Sequence, residues 1–120
     1  MKIVIPVDEK KPESIVCVSF GRAPYFMLHD TEGKTTEYIA NTAAEAQGGA
    51  GLKAAQLIVD CGANVLLAPR CGQNAADVLN AAQIKIHKAE GLRTAENLAA
   101  FQEGKLTLMT QFQAGFHGRQ

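Results

Sequence analysis

The sequence predicts an α/β fold, with a mixed five-stranded sheet and helices packed on its faces. Three observations carry this. Of 120 residues, 47% are apolar and 20% charged, the balance of one packed domain and not of a disordered chain. The first part of the chain alternates short apolar runs with turn residues, as an antiparallel meander does. From Asn41 onward, helical and extended patterns alternate, which requires parallel strands joined by right-handed crossovers.

Taken in order, Lys2 to Val7 (KIVIPV) is almost continuously apolar and suits a central strand covered on both faces. Lys10 to Glu13 is a polar break with a proline. Ser14 to Phe20 is short and extended in character, and Gly21-Arg22-Ala23-Pro24 interrupts it. Tyr25 to Asp30 and Thr35 to Ala40 form a hairpin about Thr31-Glu32-Gly33-Lys34, with Gly33 available for a positive φ. Asn41 to Gly51 is small and glycine-rich. Leu52, Ala55, Ile58 and Val59 then fall at helical spacing, with Gly62 as the stop. Asn64 to Ala68 reads as a buried strand and Asn74 to Ala82 as a short helix with Ala75, Leu79 and Ala82 on one face. Ile84 to His87 reads as an edge strand. Thr94 suits the N-cap of a last helix that stops near Gly104. Residues 1–106 make one domain on this reading, and 107–120 a C-terminal tail containing His117.

Composition excludes several function classes. Twelve Lys+Arg balance twelve Asp+Glu, so the charge footprint of a general nucleic-acid binder is missing. No apolar run approaches the ~20 residues of a membrane span, and the apolar start ends too soon for a signal peptide. Three cysteines without a CxxC imply neither a disulfide framework nor a zinc knuckle. A cytoplasmic setting is expected.

In open α/β sheets, ligands bind beyond the carboxyl ends of the parallel strands. That rule gathers Asp8, the Ser19–Arg22 loop, Gly48 to Gly51, Arg70 to Asn74 and His87-Lys88 at one rim. Arg22, Lys53, Arg70 and Lys88 supply positive charge there, with Asp8 as the acid. Gly49 to Lys53 and Cys71 to Asn74 each lead into a helix, where bare N–H groups and the helix dipole favour an anion. Gly49 to Ala54 formally matches GxGxxA, but it does not directly follow a strand, and Asp60 comes too soon for a ribose acid.

Cys71 is the soft-ligand candidate, because a helix N-terminus and Arg70 both depress a thiol pKa; the alternative is a small residue filling a turn. Cys17 reads as a buried strand cysteine near the rim, and Cys61 as core at the opposite edge. His29 lies ~13 Å from the rim at 3.3 Å per residue. A Cys71–His87 pair is geometrically possible for nucleophilic chemistry but lacks any local signature. Acids are too scattered for a two-metal nuclease, and no paired histidine spacing suggests a zinc site.

Several segments, in this order, resemble the dinitrogenase iron–molybdenum cofactor biosynthesis family. They are MKIVIPVD, SFGRAPYF (19–26), GGAGLKAAQLIVDCGANVLLAP (48–69), CGQNAADVL (71–79), IKIHKAEG and the closing Thr94…Leu98…Gly104-Lys105-Leu106. The resemblance covers nearly the whole chain. It implies a ribonuclease H-like three-layer fold and a non-catalytic protein that carries or helps assemble a molybdenum-containing metal–sulfur cluster. That cluster is either of the iron–molybdenum type or a molybdenum–copper sulfide. It also implies cluster-assembly proteins as partners. The cofactor-contacting positions on this reading are Ser19, Phe20, Gly21, Arg22, Gly49, Gly51, Arg70, Cys71, Gly72 and Asn74, with Cys71 the one metal contact. Many relatives carry His-Phe-Gly where this chain has Ser19-Phe20-Gly21. A serine is a poor ligand for such a cluster, so non-covalent seating or a Cys71 contact gains weight. Two other classes remain open from the residues: a module binding a partner or small anion, and a hydrolase or nuclease.

Overall fold

A computed structural model of the chain describes residues 1–112. His117 and the rest of the expected tail beyond residue 112 lie outside the described residues.

Five strands form one sheet: β1 (Lys2–Val7), β2 (Tyr25–Asp30), β3 (Thr35–Ala40), β4 (Val65–Ala68) and β5 (Lys85–Lys88). Their order is β3-β2-β1-β4-β5. The β1–β2 and β2–β3 pairs are antiparallel, with Ile5 opposite Met27 and Met27 opposite Tyr38. The β1–β4 and β4–β5 pairs are parallel, with Val4 opposite Leu66 and Leu66 opposite Ile86. The expected mixed sheet is therefore present.

Successive side chains of a strand point to opposite faces, so β1 divides its apolar residues between two cores. Val4 packs with Phe26, Leu28, Leu66 and Ile86 on one face. Helix α1 (Ala50–Asp60) covers that face with Ala54, Ala55 and Ile58, beside α2 (Gln73–Ala81) with Ala75, Ala76 and Leu79. Ile3, Ile5 and Val7 join Met27, Val65 and Leu67 on the other face, which α3 (Thr94–Gln102) covers with Leu98 and Phe101. Helix, sheet and helix make three layers. The alanines let α1 and α2 lie close to the strands and to each other.

Local details differ from the sequence reading for physical reasons. Ser14 to Phe20 is not a strand; it makes only the isolated bridges Val7–Val16 and Ile15–Arg93. The hairpin's left-handed residue is Lys34, with φ 55°, and Gly33 keeps a negative φ. Ala82 is exposed and Ala76 takes the buried place on α2. Cys61, expected in the core, is half-buried at the end of α1. Thr94 does not cap α3, because Arg93 occupies the N-cap. Instead the Thr94 hydroxyl faces the Pro12 and Ser14 carbonyls at 3.2 and 3.1 Å and ties α3 to the loop after β1. The segment after Leu106 turns back along β5. The Lys88 N–H donates to the Thr107 carbonyl at 2.8 Å and the Met109 N–H to the Ile86 carbonyl at 2.7 Å. The edge of β5 is thus covered.

Candidate functional site

Three loops converge at the carboxyl ends of β1 and β4 and line a cavity of about 740 Å³. They are the loop entering β2, the glycine-rich lead into α1 and the turn from β4 into α2. The cavity brings together Ser19 to Arg22, Gly49, Gly51, Arg70 to Gly72 and Asn74, along with Val18, Gln47, Leu52 and Gln73. Asp8, Lys53 and His87 are not on its wall, and Lys88 lines a neighbouring cavity instead. Among the described residues, no aspartate or glutamate lines the cavity.

Two helices aim their N-termini at this space. Gly49 caps α1 in the left-handed region, with φ 68°, a conformation glycine adopts without strain. Gly72 caps α2 from an extended backbone. Neither cap has a side chain to satisfy the first N–H groups, and neither first turn carries an acid. The orphan donors and positive dipole ends therefore remain available to an anion.

Loop 19–23 is held by a residue the sequence reading did not single out. Asn41 is buried, its Nδ2 donating to the Gly21 and Ala23 carbonyls at 3.1 and 2.8 Å. Its Oδ1 accepts from the Ala43 N–H at 3.1 Å, opening the 3₁₀ turn Thr42–Glu45. The available signal was an Asn directly after a strand and ahead of a short helical turn, the placement of an Asx cap.

The site arginines have different duties. The Arg22 guanidinium donates to the Ala44 and Ala46 carbonyls at 2.8 and 2.7 Å, so it clamps the segment leading into α1. Arg70 is exposed, and no side-chain hydrogen bond or ion pair holds it among the described residues. Phe20 belongs more to the core than to the surface: it is buried and its ring centre lies 5.8 Å from that of Phe26.

Cys71 corrects an expectation. Its thiol is pushed up to about 11 by burial, where a depressed pKa was expected. Only 2% of the residue is exposed, and loss of water sets the direction of the shift. The thiol stays protonated near neutrality and directs its Sγ at the Gly72 carbonyl, 3.6 Å away. Cys17 is half-buried, not core, and lies off the cavity wall with its Sγ 3.6 Å from the Ser19 carbonyl. Burial raises its pKa, and Asp8 pushes the same way.

His87 and Cys71 are not brought together. His87 sits in register with Leu67 of the second core, its Nδ1 3.0 Å from the Leu106 carbonyl and its ring edge-on to Phe101. Cys71 belongs to the first core. His29 bonds its cross-strand partner Thr36 close to the hairpin turn at 3.0 Å. Among the described residues, no group of three His, Cys, Asp or Glu side chains could hold a metal ion, and no helix is long and apolar enough to cross a membrane. An anion seat matches the donors present better than a ligand cage does.

Comparison with known proteins identifies the fold and the family. The apo orange protein of Desulfovibrio gigas is 31% identical over 91% of this chain and 92% of its own, with a TM-score of 0.86. A Thermotoga protein described as a candidate NifB protein is 38% identical over 93% of this chain and 96% of its own, with a TM-score of 0.82. A candidate dinitrogenase from Methanocaldococcus jannaschii, 22% identical, shares the fold over 92% of this chain and 96% of its own, with a TM-score of 0.71. No curated protein matches the chain. The dinitrogenase iron-molybdenum cofactor family model matches residues 1–104, from the first strand through the last helix, and the chain belongs to that family.

Proposed function

We propose that the 740 Å³ cavity seats a molybdenum-containing metal–sulfur cluster as cargo, which the protein carries or helps assemble and does not turn over. The observation that carries the reading is an acid-free cavity facing two uncapped helix N-termini and an unengaged Arg70 in a chain of zero net charge. A sulfidic molybdenum cluster is anionic and bulky. Fixed N–H groups and arginine can hold such a cluster with no preformed set of ligands. The family and the likeness to the orange protein support the same reading.

Between the two cluster types, we favour a molybdenum–copper sulfide. Among the described residues the cavity wall carries one cysteine and no histidine, which suits a cluster whose own sulfides complete its coordination. The ribonuclease H-like designation of the fold belongs to the same proposal, supported by the strand order and the antiparallel β2. Cluster-assembly proteins are the expected partners for handover.

The test is reconstitution of the apo protein with tetrathiomolybdate, with and without copper, followed by desalting and visible spectroscopy. Colour that travels with the protein and requires copper is the expected result. A protein that leaves the column colourless overturns the reading and favours a small-anion or partner-binding module.

A further inference from the structure

A second cavity of about 410 Å³ lies beside the first at the carboxyl ends of β4 and β5. The two share Arg70 and Cys71. Its far wall is the segment that returns along β5, fixed by the paired backbones of Lys88 with Thr107 and of Ile86 with Met109. The strap therefore adds a second wall to what would be a bare strand end.

Its charge is one-sided. Arg70 and Lys88 both line it, and among the described residues no aspartate or glutamate does. Neither cation takes part in an ion pair among the described residues. Thr107, Thr110 and Gln111 add hydroxyl and amide donors to the wall. Two like charges facing one partly enclosed space repel, and a dianion between them turns repulsion into attraction. Arginine supplies a planar fork and lysine a compact point charge, a pairing that suits tetrahedral anions. Little more than half the size of its neighbour, the cavity favours a single ion with some of its water over an extended cluster.

We propose that this second cavity is a separate binding site for one tetrahedral dianion of the sulfate, molybdate or tetrathiomolybdate type, held by Arg70 and Lys88. Arg70 faces both cavities, so a bound mononuclear anion lies next to the larger seat. Cys71, buried and neutral, adds no opposing charge. The site for a copper-free single dianion stands without the cluster reading; the choice of molybdate and tetrathiomolybdate among such dianions rests on it.

The experiment is an amide NMR titration of the full-length apo protein with sulfate, molybdate or tetrathiomolybdate alone, at matched ionic strength. Saturable shifts are expected at Lys88, Ala89 and residues 107–111. Lys88→Ala is expected to weaken binding about tenfold, the loss of one charge-assisted contact. Lys85→Ala, at the other end of the same strand, is expected to change it less than twofold. The ratio of molybdate to tetrathiomolybdate affinity distinguishes an oxyanion from a thioanion ligand. Absence of saturation for all three anions overturns the proposal. So do shifts confined to residues 19–22 and 47–52, or equal losses in the two lysine variants, which would mark bulk charge. Copper-dependent colour is read separately, so either reading can fail without the other.

Discussion

Gly21 and Gly51 meet backbone to backbone: a Cβ on Gly21 would stand 3.0 Å from the Gly51 nitrogen and 3.1 Å from its Cα. The contact joins the loop before β2 to the first turn of α1, so it sets the width of the larger cavity. The two glycines are not equivalent. A Cβ on Gly51 would meet only the Ala75 Cβ, at an ordinary 3.8 Å. Gly21→Ala must push backbone away from backbone and is expected to cost about 1–3 kcal/mol. Gly51→Ala sits in a helix that alanine favours and is expected to be neutral or stabilising by up to about 1 kcal/mol. Thermal or denaturant unfolding of the two variants checks this asymmetry.

Asn41 is expected to matter through the loop it holds. Asn41→Ala strips partners from the Gly21 and Ala23 carbonyls and the Ala43 N–H. A loss of about 1–3 kcal/mol is expected, with weaker cluster retention. Asn41→Asp places a carboxylate against those two carbonyls. The charged form is disfavoured there, so the introduced carboxyl has a raised pKa in the folded state. Stability of that variant should fall as pH rises through that pKa, whereas wild type changes less. Urea unfolding at several pH values separates the two.

Arg22 and Arg70 should fail in different ways. Arg22 clamps the Ala44 and Ala46 carbonyls, so Arg22→Ala is expected to lower stability and cluster retention together. Arg70 has no such duty. Arg70→Ala should leave the melting temperature within a few degrees while weakening retention about tenfold or more. Equal retention by wild type and Arg70→Ala would move the cluster seat elsewhere.

The Cys71 thiol links stability to alkaline pH. Its pKa is about 11 in the folded protein against a usual 9.0. The folded state therefore prefers the protonated thiol. The stabilisation from this preference is complete below pH 9 and is lost as pH rises from 9 to about 11. Cys71→Ala should remove this part of the alkaline destabilisation. Near neutrality Cys71 should also alkylate more slowly than Cys17 or Cys61, which are half-buried; mass spectrometry after brief iodoacetamide treatment reports the order.

Much of the architecture was legible because it depends on short-range patterns. The apolar run of Lys2 to Val7 marked a strand buried on both faces, and Gly62 marked the end of α1 with φ 75°. Strand polarity then placed the loops at one rim. What escaped notice depends on residues distant in sequence. Asn41 acts on a loop 18 and 20 positions away, and Thr94 acts on carbonyls 80 and 82 positions away.

The sequence by itself determined the five strands and three helices and brought three of the cavity's loops to one edge, because periodicity and strand direction are local properties; it also placed Asp8, Lys53 and His87 there, which the cavity wall leaves out. The tertiary structure alone decided the chemistry within that edge. Packing removed water from Cys71 and reversed the expected direction of its pKa. Folding handed Arg22 two carbonyls to hold and left Arg70 disengaged. The return of residues 107–109 along β5 walled one side of a second, open cavity that a strand end alone would not make. Desolvation, hydrogen-bond partners and enclosure each depend on what other parts of the chain bring to a point in space, and no local pattern encodes that.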